Sequence, residues 1–161
     1  MKILTLNCGS SSIKFKIFSM PAGSVLIKGQ ADRIGLDDAK IQWEGEGIKP
    51  CSIPKELPNH KEALEILLGL HTIGDEKSPV NTGDIAAVGH RVVHGGEFFQ
   101  SSVIINPLVR KTLEDCRNLA PLHNPHNLTG IDVCASLIPN VPQVAVFDTA
   151  FHQSLPDFAY T

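Results

Sequence analysis

The segment LNCGSSSIKFKIF at residues 6–18 constrains the N-terminal fold more than any other stretch of the chain. An apolar strand ends at Asn7, a run of small residues follows, and residues 13–18 alternate apolar and polar side chains with a period of two. This pattern predicts a β-hairpin. A plain turn that binds nothing is one interpretation. In the other, backbone N–H groups of the small-residue loop converge on phosphate, which makes these residues candidate ligands: Gly9, Ser10, Ser11 and Ser12.

The remaining apolar segments predict further strands. Residues 25–31 and 40–44 follow the hairpin with strand-like patterns, so the N-terminal part is expected to be a strand meander. The run IAAVGHRVV at residues 85–93 is nearly continuous in apolar residues, which is typical of a central strand covered on both faces. VAVF at residues 144–147 predicts a last buried strand.

Helix signals lie between these strands. Asn59 is a candidate N-cap with Glu62 three residues later, and Asn-Pro pairs at residues 106–107 and 124–125 predict two more helix starts. Residues 73–84 are polar and predict an exposed loop. The first helix has an apolar stripe formed by Ala63, Ile66, Leu67 and Leu70. Strands followed by helices that alternate with buried strands predict an α/β fold, with residues 1–161 as one domain.

Composition excludes several classes of partner. The net charge is −3 and no basic stripe occurs, so a nucleic-acid partner is not predicted. The four cysteines show no C-x-x-C pair, which argues against a zinc site and a disulfide framework. No apolar run approaches about 18 residues, so no membrane span is predicted. These features favour a soluble cytoplasmic protein with reduced thiols.

Three predicted strands run into polar side chains. ILTL is followed by Asn7, IAAVG by His90 and Arg91, and VAVF by Asp148. Parallel strands would bring these groups to one edge of the sheet, and ligands of open α/β sheets bind beyond the carboxyl ends of strands. The alternative is a buried Arg91–Asp148 ion pair that only stabilises the sheet.

Lys14 and His123 are weaker candidates. Lys14 lies on the polar side of the hairpin, where it could reach phosphate oxygens, or it is a solvated strand lysine. No G-x-x-x-x-G-K-[ST] motif occurs, so phosphate would be held by the hairpin instead. His123 could donate a hydrogen bond to an anion, or it could cap the helix that begins at Asn124.

Four segments together resemble the acetate kinases, which belong to the superfamily of acetate and sugar kinases, heat-shock chaperones and actin. They are LTLNCGSSSIKFKIF, GHRVVHGGEFF, APLHNPHNLTGI and VPQVAVFDTAFHQSLP, in that order. The resemblance runs from Met1 to Thr161 and implies an actin-like (ribonuclease H-like) domain with helices packed on a mixed sheet. Family members are much longer and have a second domain of the same fold, so the chain corresponds to their N-terminal domain.

The resemblance implies reversible transfer of the ATP γ-phosphoryl group to acetate, with Mg²⁺ or Mn²⁺. Asn7 would position the metal, Lys14 would contact nucleotide phosphate, and Arg91 would hold the acetate carboxylate or the moving phosphoryl group. Asp148 would be the catalytic carboxylate. The remaining implied residues are Val93 and Leu122, which would line the methyl pocket, and His123, which would face the phosphoryl group. A homodimer is expected for full-length members.

Two alternatives stay open at this stage. One is a propionate or other short-chain carboxylate kinase, because one methylene changes binding by only about 1–3 kcal/mol. The other is a non-catalytic nucleotide- or phosphate-binding module. Since closure over ATP needs a partner domain, residues 1–161 alone are expected to turn over poorly or not at all.

Overall fold

The fold is described from a computed structural model, which covers residues 1–68 and 82–148. These residues form eight strands, three α-helices and two short 3₁₀-helices. The strands are β1 Lys2–Cys8, β2 Ser12–Ser19, β3 Ser24–Asp32, β4 Lys40–Gly45, β5 Ile48–Pro54, β6 Ile85–Val92, β7 Val103–Ile104 and β8 Gln143–Phe147. The α-helices are α1 His60–Leu68, α2 Pro107–Asp115 and α3 Asn124–Leu137, and the 3₁₀-helices are Thr82–Asp84 and Cys116–Leu119.

All eight strands belong to one mixed sheet, in the order β5-β4-β3-β2-β1-β6-β8-β7. The first five strands form an antiparallel meander. β1, β6 and β8 are parallel neighbours, as the predicted convergence of their ends requires. Parallel neighbours need a crossover connection, and α1 lies between β1 and β6 along the chain, while α2 and α3 lie between β6 and β8. The predicted α/β class with a mixed sheet is confirmed.

The three helices pack on one face of the sheet, because alternate residues of the strands are apolar there. Leu4, Ile13 and Val88 of the sheet are fully buried together with Leu64 of α1 and Cys134 of α3. A second cluster joins β6 and β8 to α2 and α3. The other side of the sheet carries Asn7, Lys14, Lys16 and Arg91 and is called the open face; within residues 1–68 and 82–148, no helix packs on it.

The prediction that β6 is covered on both faces is wrong for the described residues. Val88, His90 and Val92 are buried, whereas Ala86 and Arg91 are exposed. The run is nearly continuous in apolar residues because Ala87 and Gly89, on the same side of the strand as Arg91, are small. Only one of the two strand faces therefore contributes to the core.

Two strands were not predicted. β5 contains two prolines and few apolar residues, so its sequence does not resemble a strand. It nevertheless pairs with β4 at the edge of the sheet. β7 has two residues and pairs only with β8. Such segments are strands because a neighbour supplies the hydrogen bonds, which a local pattern does not show.

The helix starts agree with the prediction. Asn59 Oδ1 accepts from Glu62 N at 3.0 Å, Asn59 Nδ2 donates to Glu62 Oε1 at 3.0 Å, and Asn106 Oδ1 accepts from Val109 N at 2.9 Å. Ala63 and Leu67 of the predicted stripe are buried. Leu70 and positions 73–81 of the predicted loop lie outside the described residues. The described helices include none that is long and apolar enough to cross a membrane.

Candidate active site

The parallel strands β1, β6 and β8 bring three polar side chains together on the open face. Arg91 Nε donates to Asp148 Oδ1 at 2.9 Å and to Oδ2 at 3.0 Å, and Arg91 Nη2 donates to Oδ2 at 2.6 Å. Arg91 Nη1 lies 3.4 Å from Asn7 Oδ1. The side chains predicted at the three strand ends therefore form one cluster, composed of an amide, a guanidinium and a carboxylate.

The Arg91–Asp148 pair is open to solvent. The side chain of Arg91 is 50% exposed and that of Asp148 is 39% exposed. Hydrogen bonding by Asp148 raises the pKa of Arg91 above its ordinary value, so the guanidinium is charged at every accessible pH. Ion pairs with this much exposure contribute only about 0–1 kcal/mol to stability. The predicted alternative of a buried, purely structural pair does not describe this geometry.

His90, next to Arg91 in sequence, lies on the helix-covered face. Its ring is 2% exposed, and Nε2 is 2.6 Å from the side-chain amide of Gln143. Burial lowers the pKa of His90 to about 4, so the imidazole is neutral near pH 7. Because β6 alternates, Arg91 can face the site only if His90 faces the core. His90 is a core residue and does not belong to the cluster.

The small-residue loop joins β1 to β2 at the end of β1 that carries Asn7. Gly9 N donates to Ser12 O at 2.8 Å, which closes the turn of the predicted hairpin. Asn7 lies directly opposite Lys14 in the antiparallel register. No acidic partner within ion-pair distance of Lys14 occurs in the described part of the chain. The Lys14 ammonium group is therefore available to an anion beside the loop.

A groove with a volume of about 940 Å³ runs along the open face. Asn7, Lys14, Arg91 and Val146 are among its lining residues, so three of the candidate residues face one shared space. The groove continues over β3 and β4. A site on this face can accommodate a ligand much larger than a single phosphate.

Cys8, which precedes the loop, is a packing residue. Its side chain is 3% exposed, and burial raises the pKa of its thiol to about 12. The thiol is protonated near pH 7 and is a poor nucleophile. All four cysteines are free, and three of them are buried.

Val93, Leu122 and His123 lie near the start of α3. Val93 is half-buried immediately after β6, and its N–H donates to Asn127 Oδ1 of α3 at 3.2 Å. Leu122 is 70% exposed, and His123 is exposed at the N-cap of α3. The His123 side chain makes no capping hydrogen bond, so the predicted capping alternative is wrong. The structure brings Val93 to the helix that follows His123. Within residues 1–68 and 82–148, neither residue has a hydrogen bond to Asn7, Arg91 or Asp148.

Sequence reasoning missed two buried asparagines, Asn124 and Asn127. Asn124 Oδ1 accepts from His94 N at 3.3 Å, and Asn124 Nδ2 donates to the carbonyls of His94 and Cys116 at 3.1 and 2.9 Å. Asn127 Nδ2 donates to Cys8 O at 2.8 Å. Asparagine disfavours helix interiors, so two of them three residues apart in NPHN could have indicated side chains that bind backbone outside the helix.

Within residues 1–68 and 82–148, no group of three or more His, Cys, Asp or Glu side chains is placed so that it could hold a metal ion. Asn7 and Asp148 nevertheless offer an amide oxygen and a carboxylate on one exposed surface. Mg²⁺ usually keeps several waters and takes one or two carboxylates together with substrate phosphates. The donor set fits a hydrated Mg²⁺ that arrives with phosphate.

Comparison with known proteins identifies the family. Residues 2–161 match the acetokinase family. The chain is 52% identical over 162 residues to the acetate kinase of Thermoanaerobacter pseudethanolicus, an alignment that covers 99% of this chain and 40% of the relative. The chain thus spans about 40% of the length of the curated relatives it matches.

Solved structures agree with this result. The structure of Porphyromonas gingivalis acetate kinase is similar with a TM-score of 0.89 at 42% identity, covering 98% of this chain and 39% of that one. A propionate kinase from Francisella tularensis is similar with a TM-score of 0.85 at 39% identity and the same coverage. The described fold corresponds to the N-terminal portion of these proteins. Because the family match covers nearly the whole chain and the fold agrees with that of a solved acetate kinase, the chain belongs to the acetokinase family.

Proposed function

We propose that this chain provides the acetate- and phosphate-binding half of an acetate kinase, which transfers the γ-phosphoryl group of ATP to acetate and forms acetyl phosphate and ADP. The observation that carries the proposal is the Asn7–Arg91–Asp148 cluster beside the hairpin loop. Curated relatives of the chain at about 50% identity are acetate kinases, which supports this reaction.

Arg91 is the proposed anion-binding group. Its forked N–H donors match a carboxylate in two-point geometry, and they bind the Asp148 carboxylate in that way. An acetate carboxylate or a phosphoryl oxygen can take the same donors. Nη1 lies 3.4 Å from Asn7 Oδ1, which is longer than the bonds that Nε and Nη2 make to Asp148, so Nη1 is the most weakly engaged of these donors.

The reaction needs positioning and charge neutralisation more than covalent help from the protein. Acetate is ionised at pH 7, because carboxyl groups of this kind titrate near pH 4. No general base is therefore required to activate it. We assign Asp148 to organising the metal ion and its waters, together with Asn7. A Mg²⁺ bound there with ATP would supply positive charge against the phosphoryl oxygens.

The hairpin loop and the start of α3 complete the proposed half-site. The loop residues Gly9, Ser10, Ser11 and Ser12, with Lys14 beside them, are assigned to nucleotide phosphate. Val93 and Leu122 are assigned to the acetate methyl group, and His123 to the transferring phosphoryl group. The exposure of Leu122 and His123 leaves both side chains accessible to a ligand.

The test is acetyl phosphate formation from ATP, Mg²⁺ and acetate, trapped with hydroxylamine. It compares the 161-residue chain with a chain extended beyond Thr161 to the length of its relatives. We expect product from the extended chain only, because the 161 residues span about 40% of those relatives. Product from the 161 residues alone would show that the half-site assignment is wrong. Product from neither would favour another carboxylate or a binding role without catalysis.

A second candidate is a propionate kinase. It is favoured by the similarity to the Francisella tularensis propionate kinase. The sequence identity of this chain to that protein is 39%, close to its 42% identity to the acetate kinase structure. Comparing kcat/KM for acetate, propionate and butyrate in the extended chain distinguishes the two. One methylene changes this ratio by about 10- to 200-fold. A clear preference for propionate would identify propionate as the substrate instead of acetate. The proposed phosphoryl-transfer chemistry would stay the same.

A further inference from the structure

The hairpin loop is held from the helix-covered side by two buried polar side chains. His60, the first residue of α1, has its Nε2 2.6 Å from the carbonyl oxygen of Gly9. Because a carbonyl only accepts, the ring nitrogen is the donor. Asn127 of α3 donates from Nδ2 to the carbonyl oxygen of Cys8 at 2.8 Å. Two consecutive carbonyls of the loop are thus bound by different helices.

These contacts orient the loop's peptide groups. In a planar trans peptide the C=O and the following N–H point in opposite directions. The Gly9 carbonyl points toward α1, so the N–H of Ser10 points away from the helix layer. The N–H of Gly9 is already used by Ser12 O at 2.8 Å. Within the described residues the Ser10 N–H has no hydrogen-bond partner, which leaves it free for an anion.

Burial makes the His60–Gly9 and Asn127–Cys8 hydrogen bonds costly to break. The side chain of His60 is 9% exposed and that of Asn127 is 3% exposed. Leaving a buried polar group without its partner costs the full desolvation penalty, so the loop carbonyls cannot turn away freely. The His60 ring is also stacked on His126 of α3, with centroids 4.5 Å apart. α1 and α3 therefore support the same hairpin jointly.

Asn127 also connects the loop to the turn after β6. Its Oδ1 accepts from Val93 N at 3.2 Å, while its Nδ2 holds Cys8 O. One buried amide thus spans β1 and β6, which carry Asn7 and Arg91. Displacement of this side chain would shift the loop relative to the segment that starts at Val93.

We propose that His60 and Asn127 are positioning residues that fix the Cys8 and Gly9 carbonyls toward the helices, so that the Ser10 N–H is preorganised for a phosphate oxygen. The identity of the anion rests on the proposed function, whereas the rigidity of the loop does not. Preorganised donors bind an anion without reorganising, which is the source of their advantage. Neither residue touches the substrate in this role.

The experiment measures backbone order and anion binding in the ¹⁵N-labelled 161-residue chain, with inorganic tripolyphosphate as the probe. In the unaltered chain the Ser10 amide order parameter is expected near 0.85, typical of rigid backbone. His60→Ala and Asn127→Asp are expected to lower it below about 0.6. We expect the Kd for tripolyphosphate to rise about tenfold, the size of effect that the loss of one charge-assisted contact produces.

Two further variants make the result specific. His60→Gln keeps an N–H donor toward Gly9 and should restore both readouts. If His60→Ala does not fold, Asn127→Asp carries the test of the lost contact. Asn124→Ala removes an equally buried asparagine of α3 that binds His94 and Cys116 instead of the loop. It should leave the Ser10 order parameter and the Kd unchanged within twofold.

The outcomes separate this inference from the proposed function. Unaltered Ser10 order in His60→Ala and Asn127→Asp, or an equal loss in Asn124→Ala, would overturn the positioning role. If the unaltered chain does not bind tripolyphosphate but both variants still lose Ser10 order, the positioning role stands and the assignment of the loop to phosphate fails.

Discussion

Arg91 binds Asp148 through three hydrogen bonds on the open face, although neither side chain is buried. A pair of this exposure adds little to folding stability, so stability is a poor reason for two groups matched in this way beside the groove that Arg91 lines. In the proposed reaction the acetate carboxylate has the same chemistry as Asp148. Asp148 thus makes the type of contact with the Arg91 guanidinium that a carboxylate substrate would make.

Arg91→Lys should reduce kcat/KM nearly as much as Arg91→Ala, because an ammonium group cannot reproduce two-point binding. We expect a loss of about 10²–10³-fold in the extended chain, the magnitude for removing one donor to a transition-state oxygen. The measurement is the steady-state hydroxylamine assay at varied acetate. Arg110→Lys is the matched control, since Arg110 binds Asp132 in the same two-point way at 2.8 Å between α2 and α3. Full activity of Arg91→Lys would remove Arg91 from the site.

Asp148→Asn should lower kcat/KM by about 10²-fold at ordinary Mg²⁺. If Asp148 organises the metal ion and its waters, raising the Mg²⁺ concentration should restore part of the activity, and the pH profile should keep its ionisations. Asp132→Asn, which alters an aspartate paired with Arg110, should remain active. A defect that Mg²⁺ does not relieve, together with a lost ionisation in the pH profile, would identify Asp148 as a general base instead.

The buried His90 should make stability depend on pH. Burial lowers its pKa from 6.5 to about 4, so between these values the unfolded chain binds a proton that the folded chain does not. The stability that the neutral His90 contributes is therefore complete above pH 6.5, and it is lost as the pH falls toward 4. From this one group the free energy of unfolding should decrease by about 2–3 kcal/mol between pH 7.5 and pH 4.5.

Urea unfolding of the chain and of His90→Gln at both pH values isolates this contribution. Carboxylates that titrate in the same range are common to both chains and cancel in the difference. The difference in unfolding free energy between the unaltered chain and His90→Gln should shrink by about 2–3 kcal/mol at pH 4.5. An advantage that does not change with pH would contradict a neutral, buried His90.

Gly130→Ala should destabilise the fold, because a Cβ there would lie 2.7 Å from Cys8 Sγ. Overpacking of this kind costs about 1–3 kcal/mol, and the higher helix propensity of alanine offsets about 1 kcal/mol of it. Since removing Sγ makes room, Cys8→Ala should rescue Gly130→Ala. We expect a coupling energy of about 1–2 kcal/mol in a double-mutant cycle measured by urea unfolding.

Ser136→Ala is a control for the propensity effect, because Ser136 is an exposed position of the same helix. Additive effects of Cys8→Ala and Gly130→Ala would show that α3 does not pack closely against the hairpin.

The hairpin, the helix starts and the convergence of Asn7, Arg91 and Asp148 could be predicted because each depends on local pattern or on strand direction. β5 and β7 could not: the prolines and few apolar residues of β5 obscure a strand pattern although β4 directly precedes it, and the two residues of β7 pair with β8, which lies about 40 residues later. The roles assigned to the site residues remain predictions that the experiments above address.

The residue types that end the parallel strands, and the small-residue loop after Asn7, can be read directly from the amino-acid order. The three-dimensional packing assigns each side chain to one face of the sheet, so that Arg91 faces the groove while the adjacent His90 is buried against Gln143. It also decided that His60 and Asn127 hold the loop. The physical reason is that residues distant in sequence satisfy the loop's buried carbonyls, and only the packing of α1 and α3 on the sheet brings them within hydrogen-bonding distance.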